Sequence, residues 1–170
     1  VSAKNLLLET ASVAVEYGQW GHFSLSMNYD QLPHYRFNDG RTPFNGSGTQ
    51  TQTLPLDWIG ASSSAGFTTQ VPKFKQVNID TRRDRFTGAA EWQLSRAWKV
   101  TSEYRHEIKS GTAPLGAIFG STGGNPRGAI LSRPIDYQTN EISLGLNYSK
   151  QRTHYNFSYN TMHFSNSDNA

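Results

Sequence analysis

Apolar and polar residues alternate along this chain in six stretches of similar length. In the clearest, from His22 to Asp30, Phe23, Leu25, Met27 and Tyr29 share one parity, while Ser24, Ser26 and Asn28 share the other. A strand turns successive side chains to opposite faces, so a period of two predicts one apolar and one polar surface. The same pattern sets Phe86, Gly88, Ala90, Trp92 and Leu94 against Arg85, Thr87, Ala89, Glu91 and Gln93. It sets Trp98, Val100, Tyr104 and Ile108 against Lys99, Thr101, Glu103, Arg105, Glu107 and Lys109. Ile142, Leu144, Leu146 and Tyr148 oppose Glu141, Ser143, Gly145 and Asn147, and Tyr155, Phe157 and Tyr159 oppose His154, Asn156, Ser158 and Asn160. The first stretch is less clean, because Leu6, Leu7 and Leu8 blur its faces. Six strands are thus predicted, near residues 5–17, 20–30, 84–94, 98–109, 137–148 and 153–164.

Each stretch is about ten residues long, which matches the roughly 9–11 residues a tilted strand needs to cross a bilayer. Strands of soluble proteins are more often about 5–6 residues. The links alternate in length. Gly18-Gln19, Ser95-Arg96-Ala97 and Ser149-Lys150-Gln151-Arg152 are short, whereas residues 31–83 and 110–136 form long loops rich in Gly, Pro, Ser, Thr and Asn. Tight turns on one side and extended loops on the other predict an all-β, antiparallel, up-and-down transmembrane β-barrel segment, with short periplasmic turns and long extracellular loops.

The aromatic residues sort by turn. Tyr17, Trp20, Phe23, Trp92, Trp98, Tyr148 and Tyr155 all lie close to a short link. Amphipathic rings sit well at a membrane interface, so these residues are expected to form one aromatic belt. Tyr29, Phe86, Tyr159 and Phe164 lie toward the opposite strand ends and are candidates for a second belt. The polar face carries Asn28, Glu91, Lys99, Glu103, Arg105, Glu107, Glu141, Asn147, Asn156 and Asn160. An Arg or Lys turned to lipid at the midplane costs about 2–4 kcal/mol, so these charges are expected to face inward. The lumen is then either watery or filled by a polar partner.

Composition agrees with this reading. The chain has 170 residues, 35% of them hydrophobic, and a mean hydropathy of −0.63. There is no apolar run long enough for a membrane helix, but a barrel needs none, because only alternate residues meet lipid. The opening Val1, the polar tail Ser165–Ala170 and a strand count below the minimum of about eight point to an internal segment of a longer barrel. The absence of cysteine excludes disulfides, thiolate metal sites and covalent haem attachment within this chain. The net charge is +3 with signs interspersed, and no basic stripe of the nucleic-acid type occurs.

Candidate chemistry is sparse. The five histidines, His22, His34, His106, His154 and His163, lack helical zinc spacing, and no metal site is expected. No nucleophile elbow occurs. Gly123-Gly124-Asn125-Pro126-Arg127-Gly128 lacks the ending of a phosphate loop and reads as a turn-rich loop. Glu103 and Glu107 share a face with Lys99, Arg105 and Lys109, a salt-bridged wall and not an acid/base pair. No enzymatic role is expected.

Specific words then stand out in order. Tyr29-Asp30-Gln31-Leu32-Pro33-His34-Tyr35 is followed by Thr42-Pro43-Phe44-Asn45-Gly46-Ser47-Gly48 and Ser102-Glu103-Tyr104-Arg105-His106-Glu107. Gly124-Asn125-Pro126-Arg127-Gly128, Pro134-Ile135-Asp136-Tyr137 and Tyr155-Asn156-Phe157-Ser158-Tyr159 complete the series. With the strand pattern beneath them, these words resemble the MtrB/PioB family of decahaem-associated outer-membrane barrels, over roughly Gly21 to Ala170. The resemblance implies six strands of a larger barrel, of about 26 strands, in the bacterial outer membrane. It implies a sheath around a periplasmic multihaem cytochrome, with an outer-surface multihaem cytochrome docked on it. Electrons cross on the partners' haems, and the barrel binds no cofactor directly. Small inward residues such as Ser24, Ser26, Ala89, Ser143, Gly145 and Ser158 leave room for such a partner.

Other readings compete. A general diffusion porin or substrate channel would share the same wall. A soluble adhesin or carbohydrate-binding module would bury the apolar face in a core. An outer-membrane protease or lipase would need a catalytic cluster. The first long loop holds Phe44, Trp58, Ile59, Phe67 and Phe74 between Pro33, Pro43, Pro55 and Pro72, and is expected to be ordered in part against a partner or another loop.

Overall fold

The computed structural model describes residues 1–60, 64–122 and 125–168. Seven strands follow one another in a single up-and-down sheet whose spatial order is the chain order. They are β1 (Ser2–Lys4), β2 (Ser12–Gln19), β3 (Phe23–Thr42), β4 (Lys75–Gln93), β5 (Trp98–Thr122), β6 (Asn125–Lys150) and β7 (Thr153–Asn166). Two 3-10 turns, Ser64–Phe67 and Val71–Lys73, lie between β3 and β4.

Two expectations are corrected. The blurred first stretch, 5–17, is a connection followed by β2: a further strand, β1, precedes it and pairs antiparallel with β2, Ser2 opposite Ala14, and the leucine run Leu6–Leu8 lies in the connection between them. Among the described residues the sheet therefore has seven strands and not six. The long loops are also shorter than expected. Residues 31–42 and 75–83 belong to β3 and β4, and 110–136 is mostly the continuation of β5 and β6. Strands β3 to β6 run to 20, 19, 25 and 26 residues, about twice what a bilayer requires. Lipid imposes alternation by forcing one face to be apolar. Beyond the lipid neither face must be apolar, so the pattern fades while the backbone ladder continues. Gly123 and Gly124 of the glycine-rich run lie outside the described residues, and Asn125 already begins β6.

The chain divides into two units, with β3 to β6 contributing to both. The first comprises Val1–Pro33, Arg82–Lys109 and Tyr137–Ser167. It is one layer of sheet with registers that keep the two faces distinct. On one face Val13 opposes Tyr29, Val15 opposes Met27, Leu144 opposes Tyr159 and Leu146 opposes Phe157. On the other, Ala14 opposes Asn28, Ser143 opposes Asn160 and Asn147 opposes Asn156. Among the described residues nothing covers the apolar face: Phe157 is 74% exposed and Leu144 47%. Among the described residues only Ala11, Ile79 and Ile135 are buried apolar side chains. A soluble domain cannot leave such a face in water, because burial of apolar area is what stabilises it.

The three short connections of this unit are tight. The first centres on Trp20–His22, where Gly21 takes φ +74° and the His22 amide donates to the Gln19 carbonyl at 3.0 Å. Gly18 and Gln19, expected in the link, belong to β2. In the second, the Ala97 and Trp98 amides donate to Ser95 Oγ. The third is Gln151-Arg152, with Gln151 at φ +50°. Neighbouring hairpins join here: the Gln93 amide donates to the His22 carbonyl and the Ser149 amide to the Ala97 carbonyl.

The second unit comprises His34–Thr81, Ser110–Asp136 and Asp168–Ala170. In its connection between β3 and β4, residues 45–53 are folded onto its own sheet. Asn45 and Thr53 form a bridge, the Gly48 amide donates to Ser132 Oγ at 2.7 Å, and Gln52 Nε2 donates to the Ser132 carbonyl at 2.7 Å. Trp58 and Phe74 pack with ring centroids 6.1 Å apart. The segment expected to be ordered against a partner or another loop is thus held by β6 and by itself, and the Phe67 side chain lies outside the described part. Gly111, at φ +127°, lets β5 approach the Asp80 carbonyl of β4 so closely that any Cβ would collide.

Candidate functional site

The polar face of the first unit is the candidate site. Its charges come as linked pairs. Arg85 and Arg83 both reach Glu107, at 2.9 and 3.2 Å. Arg105 bridges Glu103 at 2.9 Å and Glu141 at 3.1 Å. Lys99 meets Glu91 at 2.6 Å. Each pair spans adjacent strands or neighbouring positions of one strand, because same-face residues of paired strands lie within side-chain reach. Asn147 and Asn156 share a cross-strand hydrogen bond, and His154 Nδ1 lies 2.9 Å from Ser149 Oγ. Half-exposed pairs of this kind contribute roughly 0–1 kcal/mol each. Their main effect is to leave a lining that is polar and nearly neutral.

Between the charges the wall is hollowed by small residues. Ala89, Thr101, Ser143, Gly145 and Ser158 line a depression of about 280 Å³ rimmed by Glu91, Glu103, Asn147, Asn156 and Asn160. Of the ten expected lining residues, Glu91, Glu103, Asn147, Asn156 and Asn160 therefore meet at one place. Lys99, Arg105 and Glu141 belong to the adjoining pairs, Glu107 to a separate arginine cluster, and Asn28 lies on the β2–β3 hairpin opposite Ala14. Arg83 was missed, because it precedes the expected start of its strand. Its parity with Arg85 was the available signal.

The apolar face carries two bands. At the short-turn end Tyr17 packs on Phe23 at 5.8 Å and Phe23 on Trp92 at 6.0 Å. Trp98 packs on Tyr148 at 4.7 Å and Tyr148 on Tyr155 at 6.1 Å. Trp20 stands apart in the turn itself, fully exposed. At the other end Tyr29 and Tyr159 keep to the apolar face, opposite Val13 and Leu144, and Phe86 shares the parity of Trp92, but Phe164 does not join them. Phe164 pairs with Thr139 and packs on Tyr137 at 5.4 Å, so it lies on the polar face. That end of the apolar face also carries a hydrogen-bonded polar band. Tyr29 Oη donates to Asp84 at 3.1 Å, Gln31 Nε2 donates to Tyr29 Oη at 2.9 Å, and Arg82 Nε meets Asp84. Tyr104 Oη donates to Asn140 Oδ1 at 2.9 Å, His106 Nδ1 lies 2.8 Å from the same atom, and His163 opposes Asn140.

From Trp92 to Asp84 is eight positions along β4. At a rise of about 3.3 Å per residue that is about 26 Å along the strand, and a tilt of about 35–45° reduces it to about 20 Å of height, close to the apolar band of about 25 Å on outer-membrane barrels.

Comparison with known proteins agrees with this geometry. The family described as outer membrane beta-barrel porin, MtrB/PioB, matches residues 1–170. A relative, the outer membrane protein MtrB of Shewanella baltica, is 26% identical over 170 residues. That alignment covers 99% of this chain and 24% of the relative, so the chain spans about a quarter of the length of the curated protein it matches. A lone sheet with an uncovered apolar face, an aromatic row at its short-turn end and a neutralised polar lining is the wall of a membrane barrel, and the chain belongs to the MtrB/PioB family of outer membrane β-barrel porins.

Proposed function

We propose that this wall is part of a non-catalytic sheath. It holds a periplasmic multihaem cytochrome in the lumen and supports docking of an outer-surface multihaem cytochrome. Electrons cross the outer membrane on the partners' haems, and the barrel itself carries no cofactor. The observation that supports this reading best is the hollow of small residues at Ala89, Thr101, Ser143, Gly145 and Ser158, bordered by Asn147, Asn156 and Asn160. A water channel gains nothing from such a recess. A protein in the lumen gains close backbone approach and amide hydrogen bonds there. The paired charges let the partner slide into register without leaving a buried unpaired ion, which would be costly.

The test uses the full-length parent barrel. Expressed with the multihaem cytochrome of its own source, it is expected to co-purify with haem in fixed ratio, and the complex to pass little ion current in a planar bilayer. A diffusion porin is the second reading, favoured by the polar lining. Large steady currents from a barrel that retains no cytochrome would establish that reading instead.

A further inference from the structure

The polar band on the lipid-facing side is not explained by the sheath. It lies on the same face as Leu144, Leu146, Phe157 and Tyr159, since Asn140 and His163 are paired in the same parity as those residues. Side chains on this face meet lipid in an outer-membrane barrel. An Arg or Lys there costs about 2–4 kcal/mol at the midplane and about 0–1 near the interface, so the band belongs at headgroup depth. The aromatic row occupies the end with the short turns, which in such barrels is periplasmic. The polar band is therefore at the outer leaflet.

Its composition differs from an ordinary interface. The aromatic row at the short-turn end suits a phospholipid boundary, where rings straddle the apolar and wet layers. The opposite band keeps the rings of Tyr29, Phe86 and Tyr104 and adds a guanidinium held by the Asp84 carboxylate, two imidazoles and an amide. Arg82 is half-exposed and meets Asp84 through Nε. Asn140 Oδ1 is engaged by both Tyr104 and His106, which fixes the amide and the imidazole in place on the sheet surface. His163 stands opposite Asn140 on β7, in the exposed part of that strand. The Arg82 guanidinium and imidazole N–H donors suit phosphate, and the fixed amide and phenol suit sugar hydroxyls.

We infer that the band formed by Arg82, Tyr104, His106, Asn140 and His163 binds the phosphorylated sugar headgroup of an outer-leaflet glycolipid. The phosphates meet Arg82 and the imidazoles, and the sugar hydroxyls meet Asn140 and Tyr104. This inference needs only the outer-membrane wall and is independent of any cytochrome.

The full-length parent in phosphatidylethanolamine/phosphatidylglycerol nanodiscs is the material for the test. Bis-phosphorylated lipid A, the same lipid enzymatically dephosphorylated, and excess phosphatidylglycerol are added in turn, and retained lipid is read by native mass spectrometry. The intact protein is expected to retain bis-phosphorylated lipid A in preference to both others. R82Q combined with H163Q is expected to lower that retention about tenfold, the size of losing one or two charge-assisted hydrogen bonds. H163Q alone, at an exposed strand position, guards against a folding defect and is expected to give a smaller drop with unchanged heat-modifiability on gels. Equal retention of phosphorylated and dephosphorylated lipid A would overturn the phosphate assignment. Equal retention of phosphatidylglycerol and lipid A would reduce the band to a general headgroup contact and overturn the glycolipid assignment. Unchanged retention in folded R82Q/H163Q would remove these residues from the site.

Discussion

Arg105 on β5 reaches Glu141 on β6 at 3.1 Å while also holding Glu103 at 2.9 Å. One guanidinium thereby bridges two carboxylates on neighbouring strands of the polar face. R105A leaves both acids facing each other with no cation between. The loss is expected to be about 1 kcal/mol, the upper range for half-exposed pairs. R105A with E141Q is expected to recover part of it, because one of the stranded charges is gone. Denaturant-induced unfolding of the refolded full-length barrel in detergent, run as a double-mutant cycle, gives the coupling. A coupling indistinguishable from zero would show that the contact contributes nothing to stability.

Gly145 sits so close to the Thr101 hydroxyl across the β5–β6 seam that a Cβ there would strike it. G145V is expected to destabilise by about 1–3 kcal/mol, as overpacking does. T101A in the same chain removes the obstructing hydroxyl and is expected to restore most of the stability. If T101A gives no rescue, the cost of G145V arises elsewhere.

The assignment of faces has a direct check in the neighbours Ser143 and Leu144. L144R places a charge on the lipid side and is expected to cost about 2–4 kcal/mol in a lipid-bilayer folding titration. S143R places the same charge on the polar side and is expected to cost well under half as much. Equal costs, or the reverse order, would mean that the faces have been exchanged.

In the second unit, Asp57 accepts a hydrogen bond from Lys73 Nζ at 2.5 Å. That hydrogen bond, with the ammonium charge, holds the Asp57 carboxyl below its ordinary pKa of 3.8. The folded value is the depressed one, so the pair's contribution is complete above the ordinary value. It declines below pH 3.8 and is lost as pH falls through the folded value. Amide protection across residues 55–60 and 64–74, referred to the intrinsic exchange rate at each pH, is expected to fall over that acid range in the parent barrel. D57N is expected to remove this pH dependence while leaving exchange in β6 and β7 unchanged. A D57N profile that still tracks pH would assign the effect to another group.

Much of the wall was legible in the pattern of residues. Alternation is a local consequence of the pleat, so the parity of Leu25, Met27, Glu103, Arg105 and Leu144 needed no partner strand to be read. The aromatic row was legible for the same reason, since each ring's distance from a short turn is a count along the chain. Phe164 shows where the reading stopped. Its distance from the turn suggested a belt, but its parity follows Asn160 and Ser158, and register with Thr139 turns it to the polar face. The leucine run Leu6–Leu8 misled in another way, since apolar residues in a connection imitate a strand.

By itself the sequence determined a membrane wall with one lipid face and one polar face, because lipid acts on each strand separately and marks every second residue. Pairing between strands decided the rest. Backbone ladders extend β3 to β6 far beyond the alternating stretches, since interstrand hydrogen bonds need no apolar side chain. Register alone gathers Glu103, Arg105 and Glu141 into one cluster, and hollows the wall around Gly145. It also joins Tyr104, His106 and Asn140 into a polar band, for residues some 34 and 36 positions apart have no local signal that they will meet.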